Sequence, residues 1–367
     1  MSCGSRPERC PAVPQLASLE DESGATGLTG PALRLDREEI LSFRRRTGAL
    51  DERLAAGPDS LAQAAAAGLQ DSMPRAALLS LHARVRSVGP ETWSEPPLVQ
   101  LWGPGYSVFV VAEPDVALFT LSRLPEAGQR RRRAEELAAR LSELLAGGSM
   151  TYDRAGALLG VHPNSLRYAA LTGTVLIRWE GAGASTIWTV PRPEMEPAEA
   201  RAELARRFLH SYGPSTPASF ARWAGMNVAA AESAFELLSD EVIEVLSPIG
   251  PSFLLSSDEA LMRSSGPPER GARLIPSGDP YFLLHGPERE LLVPDERLRA
   301  ELWTPRVWPG ALLLDGEIAG TWRRSQGSVT VRPWRRLSRA ELASVEAEVA
   351  SLPLPGLRAA PSLCLEE

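Results

Sequence analysis

The sequence predicts an α+β chain of tandem winged-helix domains followed by a C-terminal β-rich, barrel-like domain. Three observations lead there. Between Arg131 and Val190, apolar residues recur at helical spacing through three segments and then form a hairpin, the element order of a winged helix. A second run of the same plan follows between Ala198 and Leu255, and repetition of one unit is itself an architectural signal. From Leu274 onward, strand-like runs separated by turn residues take over and lead to a final amphipathic helix.

In chain order, residues 1–33 are rich in Pro, Gly, Ser and acids without an apolar period, which predicts a disordered leader. An N-terminal winged-helix-like domain is expected over 34–125. It opens with a helix from Asp36 to Thr47, with Ile40, Leu41 and Phe43 inward and the Arg44-Arg45-Arg46 run read as a solvated face near the C-terminus, where cations suit the dipole. An alanine-rich helix from Ser60 to Ala67 breaks at Gly68, a Pro-initiated helix runs through Val85, and LVQLWGPGYSVFVVAE reads as two strands around Gly103-Pro104-Gly105.

The unit at 126–193 has helices over Arg131–Ala146, from a Thr151 cap to Gly160, and from Pro163, followed by a hairpin turning at Gly181 to Gly183. In a winged helix the third helix enters the major groove, so its side chains expected to face outward, His162, Asn164, Ser165, Arg167 and Tyr168, are the candidate DNA contacts. His162 reads more naturally as a cap, and packing or protein contact remains open for the helix as a whole. The unit at 194–264 repeats the plan with an Asn227-capped helix and the runs VIEVL and SFLL. RSSGPPERGA marks a linker. The β-rich domain spans 270–352, with a hairpin signal at Asp315-Gly316 and a closing helix from Ser338 to Ser351; a tail, 353–367, follows. Within it, TWRRSQGSVTVRPWRR carries two tryptophans and five arginines, so a hairpin there could present Arg323 and Arg324 to phosphates; a solvated, cation-π-stacked hairpin is the other reading.

Composition bounds the function class. Length and apolar content suffice for a large core. No apolar run reaches membrane-spanning length and the N-terminus lacks the order of a signal peptide, so a cytoplasmic protein with no membrane partner is expected. Cys3, Cys10 and Cys364 are the only cysteines, too few and too scattered for a disulfide framework or a metal cluster; neither metal nor cofactor is expected. The formal charge is -7, yet between Arg123 and Arg178 nine arginines face five acids, and between Gly320 and Ala340 there are six arginines and no acid. Local basic patches of this kind neutralise phosphates even on a net-acidic chain. All 39 basic residues are arginine, first a sign of GC-rich coding and only second of phosphate recognition.

The most informative stretch is GLQDSMPRAALLSLHARV, Gly68 to Val85. It places Gln70, Asp71 and Ser72 just ahead of a helix, where short polar groups can cap the helix or work on a substrate. In an extended segment side chains two apart share a face, so Gln70 and Ser72 are expected together and Asp71 away from them. The capping alternative has Ser72 or Asp71 satisfying the first turn, for about 1 kcal/mol. His82 reads as a packed helix residue.

This stretch resembles the catalytic segment of the winged-helix DNA-binding family that contains the AlkZ and YcaQ DNA glycosylases. YGPSTPASFARWAG (Tyr212–Gly225), LIPSGDPYFLL (Leu274–Leu284) and DGEIAGTWRR (Asp315–Arg324) resemble further signature stretches of that family, in the same order. The resemblance implies tandem winged helices and a β-rich domain around a basic channel for double-stranded DNA. It also implies hydrolysis of the N-glycosidic bond of bulky N7-alkylated guanines, crosslinks included, by a monomer. The family motif is Gln, an apolar residue, then Gln or Asp; it maps onto Gln70, Asp71 and Ser72, of which only Gln70 matches. Ser72 would hold the water through a shorter arm, or Asp71 would turn inward and supply negative charge. The alternative function is a non-catalytic winged-helix DNA-binding or regulatory protein, and a protein-contact role also fits the net charge.

Overall fold

The computed structural model describes residues 33–264, 266, 270–357 and 359–366. The expected leader therefore lies outside the described residues apart from Leu33, as do Cys3 and Cys10. The fold is mixed α+β, organised among the described residues by three sheets.

The largest sheet has six strands in the spatial order Leu69–Gln70, Val108–Ala112, Leu98–Trp102, Val175–Arg178, Thr186–Thr189 and Ser149–Thr151. It crosses the boundary expected at 125/126, because Gln100 pairs with Ile177; the first two units share one sheet. The second sheet places Leu33–Arg34 parallel beside Val242–Ser247, which pairs antiparallel with Gly250–Leu255. The first helix, Arg37–Thr47, packs with this second sheet: Ile40 and Phe43 share a core with Val245, Leu254 and Met262. Neighbours in sequence are thus not the packing units, since apolar faces pair wherever the chain brings them together.

The third sheet runs Ala272–Ile275, Gly310–Leu314, Glu317–Ser325, Ser328–Pro333 and Ser362–Leu365. Among the described residues its two end strands do not pair with each other, so the expected barrel-like closure is corrected to an open five-stranded sheet. The helix Arg339–Ala350 covers it through Val345 and Val349. Ser362–Leu365, where a tail was expected, adds a parallel strand beside Ser328–Pro333. The Asp315-Gly316 turn has φ of 46° and 84°, the paired left-handed residues of a tight hairpin.

Local signals hold at several ends. Asp36 and Glu39 form a reciprocal capping box, as do Ser338 and Glu341, and Asn227 caps Val228–Leu237. The segment from Pro163 differs. It is a 3-10 helix, Pro163–Thr172, rather than an α-helix. The arginine run also differs from the expected solvated face: Arg44 is 1% exposed and pairs with Glu288 at 2.6 Å, and Arg45 is buried beside Asp51. Among the described residues, no helix is long and apolar enough to cross a membrane.

Candidate active site around Gln70

Gly68 delivers the chain into the site. Its φ is +69°, and a Cβ there would lie 2.5 Å from the Phe119 ring, so only glycine fits this turn. The two-residue strand that follows pairs Leu69 with Val110 and Gln70 with Phe109. Side chains then alternate. Leu69 is fully buried among Leu78, Leu81, Trp93 and Val110; Gln70 is half-buried and turns outward; Asp71 is 0% exposed; Ser72 is exposed. Gln70 Nε2 donates to Ser72 Oγ at 3.1 Å, so the two share a face and Asp71 points away, as an extended backbone requires.

Asp71 is held in the core. Its Oδ1 accepts from the Ala77 main-chain N–H at 3.0 Å and its Oδ2 from Gln100 Nε2 at 2.9 Å, with Arg75 at 3.8 Å. Burial pushes its carboxyl up to about 7, against the opposing pull of Ala77, Arg75 and Gln100. The capping reading therefore holds for Asp71, which bonds the first turn of the helix Ala76–Arg84, and the idea that it turns toward a substrate does not. That helix starts later than Met73-Pro74 because Arg75 takes φ 65°. Such a conformation costs a non-glycine residue about 1 kcal/mol; Arg75 is pinned there by bonds to the Trp179 carbonyl and Glu180 and by stacking 3.8 Å over Trp93.

The opposite wall comes from the turn after Ala272–Ile275. Gly278, at φ +81°, lies so close to Gln70 that a Cβ there would stand 2.8 Å from Gln70 Oε1. Asp279 locks this turn to the helix Ala76–Arg84: fully buried, it accepts from Arg84 Nη1 and Nη2 at 2.7 and 2.8 Å and from Ser80 Oγ at 2.7 Å. Two hairpin tips close on the remaining side. Gly181 packs against Pro74, and Arg324 donates to the Pro74 carbonyl, with Arg75 and Asp71 as its charged neighbours. Met73, Pro74, Ser277, Trp308, Arg323 and Arg324 line a cleft of about 160 Å³, which Gln70 and Ser72 adjoin through Ser277 and Met73 rather than line.

The other expected residues lie in two places. Arg323 and Arg324 are exposed on the hairpin beside this cleft, and Arg323 donates to the Val307 carbonyl at 2.9 Å. On the 3-10 segment, His162 and Asn164 are exposed, and His162 Nδ1 accepts from the Asn164 N–H at 3.2 Å; His162 is the cap. The expected exposure fails for three neighbours. Ser165 accepts from Arg133; Arg167 is half-buried, donating to the Tyr106 carbonyl at 3.4 Å with its guanidinium 5.9 Å from the Trp102 ring; Tyr168 sits edge-on to Tyr106 beneath Arg133. His82 is buried against Arg53, Ser351 and Glu348, and burial lowers it to about 4; it does not face the site. Residues missed from sequence include Gln100, Arg75, Arg84 and Asp279. Gln100 carried a signal: a lone amide inside the apolar run LVQLW needs a buried partner.

Comparison with known proteins identifies the family and the fold. A family model described as DNA glycosylase AlkZ-like matches residues 61–353. An interstrand DNA cross-link repair glycosylase of Streptomyces sahachiroi is 26% identical over 247 residues, covering 60% of this chain and 65% of that protein. The chain thus spans just under two thirds of that relative's length. The solved structure of the Streptomyces sahachiroi DNA glycosylase AlkZ superposes with a TM-score of 0.74 at 19% identity, over 91% of this chain and all of that one. At that identity the superposition speaks for the fold.

Proposed function

The chain belongs to the AlkZ-like DNA glycosylase family, and from that premise we propose that it is a monofunctional DNA glycosylase acting on N7-alkylated guanine in duplex DNA. The observation that carries the proposal is the shared outward face of Gln70 and Ser72 beside an arginine-bearing cleft. Gln70 spends an N–H on Ser72, which leaves its Oε1 as acceptor and the Ser72 hydroxyl hydrogen as donor. A water donating to the first and accepting from the second keeps a lone pair for C1′. N7 alkylation makes guanine cationic. As the water oxygen bonds C1′, the C1′–N9 electron pair leaves with the base, which departs neutral, and the water proton is lost to solvent, Gln70 Oε1 orienting the O–H without acting as a base. No acid is needed at the leaving group; positioning of the water and tolerance of an oxocarbenium-like transition state supply the rate.

The two helix-then-hairpin units are read as winged helices along the duplex, with His162, Asn164, Ser165, Arg167 and Tyr168 at one contact and Arg323 and Arg324 at the other. Phosphate contacts by arginine make the binding salt-dependent. One observation favours a second reading, a non-catalytic duplex-binding protein: Asp71 is buried, so the motif offers the substrate no carboxylate. Incubation with duplexes carrying several N7-alkylguanines separates the two. Release of free base that is lost in Gln70→Ala supports the glycosylase; salt-sensitive binding without release from any lesion supports the binder and overturns the catalytic proposal.

A further inference from the structure

Asp71 stands where the family motif has an apolar residue, and here its polarity has a complete set of partners. Oδ1 receives the Ala77 N–H at 3.0 Å and Oδ2 receives Gln100 Nε2 at 2.9 Å, while Gln100 Oε1 receives the Trp179 N–H at 2.7 Å. Gln100 is itself buried. Its orientation is fixed from the far end, because only its oxygen can accept from a main-chain N–H; its NH2 must therefore face residue 71. Residue 71 in turn must accept with both oxygens. The Trp179 carbonyl is bound as well, by Arg75 Nη1 at 3.3 Å. Both main-chain polar groups of Trp179, two residues before the hairpin tip at Gly181, are thus tied to the Asp71–Arg75 segment.

We infer that Asp71 is a positioning residue: with Gln100 it forms a hydrogen-bonded strut between the Gln70–Ser72 segment and the 175–189 hairpin, setting the face that Gln70 and Ser72 present. The inference rests on the glycosylase reading for its effect on rate, but the strut itself does not. Pulling residue 71 inward against Ala77 and Gln100 turns its two neighbours outward, and the same strut sets the distance from Pro74 to the Gly181 tip. A buried chain of this kind is intolerant of a single donor–acceptor reversal, since each link is oriented by the next.

That intolerance supplies the test. Asp71→Asn turns one of the two acceptors into an NH2, which then faces either the Gln100 NH2 or the Ala77 N–H, and Gln100→Glu alone puts two carboxyl groups together. The double variant Asp71→Asn/Gln100→Glu restores every link: the amide NH2 introduced at position 71 donates to the carboxylate introduced at position 100, whose other oxygen accepts from the Trp179 N–H. In the full chain, Asp71→Asn is expected to speed exchange of the Trp179 or the Ala77 amide hydrogen and slow single-turnover base release, each by about tenfold or more, the worth of one buried hydrogen bond. Duplex affinity should change by less than about threefold, because phosphate contacts dominate it. The double variant should recover both the exchange and the release. Unchanged exchange of both the Trp179 and the Ala77 amides in Asp71→Asn, or a double variant no better than either single one, overturns the strut. Recovered exchange without recovered release makes the Asp71 carboxylate a direct participant and overturns the positioning role. If the wild-type protein releases no base at all, the glycosylase reading fails, while the exchange arm still decides the strut. Should Asp71→Asn not fold, Gln100→Leu breaks the same chain from its middle and must free the Trp179 amide for the inference to stand.

Discussion

The segment from Gly68 to Val85 and the segment from Pro163 to Thr172 both carry polar side chains proposed to meet DNA, and they are held in opposite ways. The first is fixed by buried polar anchors: Asp71 to Gln100 and Ala77, and Ser80 and Arg84 to Asp279, all within 3.0 Å. The second is held by looser contacts: a His162 cap, an arginine on a carbonyl at 3.4 Å and two tyrosines packed edge to face. Chemistry at C1′ needs groups held to fractions of an ångström, which rigid, fully satisfied surroundings provide. Backbone-phosphate contact needs charge within reach and tolerates adjustment.

The contrast is broken most directly by Asp279→Ala. It strands Arg84, which is 3% exposed and, among the described residues, has no other carboxylate partner at hydrogen-bond distance; removal of one member of a buried ion pair costs about 3–5 kcal/mol. Denaturant unfolding should show that loss, together with slower base release, because the Gly278 turn beside Gln70 is freed.

A pH titration of stability probes the same segment from within. His82 titrates at about 4 in the folded chain against 6.5 when free, so its contribution is intact above pH 6.5 and is lost as pH falls toward 4. Asp71 titrates at about 7 against 3.8, so its contribution is intact below pH 3.8 and is lost as pH rises through 7. Each slope is worth about 3–4 kcal/mol, and over that window they oppose each other. Stability of His82→Gln should therefore fall as pH rises from 4 to 6.5, and that of Asp71→Asn should rise; chemical denaturation at a series of pH values reads both slopes.

Arg167→Ala marks the small end. With one long hydrogen bond and a distant ring to lose, it should cost about 1 kcal/mol or less in unfolding while weakening duplex binding and flattening its salt dependence. A loss comparable to that of Asp279→Ala would erase the distinction between the two segments.

These regions also differ in how far the sequence disclosed them. The alternation of Leu69, Gln70, Asp71 and Ser72 follows from strand geometry, and the helices beginning at Asp36 and Ser338 follow from apolar spacing. The 3-10 form of Pro163–Thr172 does not, because buried Leu166, Ala169 and Ala170 sit at spacings an α-helix would share. Arg44 looked solvated because its partner Glu288 lies 244 residues away. The sheet shared by Leu98–Trp102 and Val175–Arg178, the open end of the third sheet, and the Arg84–Asp279 lock are likewise long-range pairings that no local pattern encodes. Gln100 is intermediate: its isolation in an apolar strand announced a buried partner without saying which.

The central claim is that Gln70, with Ser72, holds the attacking water. Single-turnover release of N7-alkylguanine from a saturating duplex, compared between wild type and Gln70→Ala, tests it most directly. The account predicts release by the wild type and a loss of about 10²-fold or more in the variant, the scale of one positioned catalytic group, with duplex affinity unchanged. Equal release rates for the two proteins would contradict it.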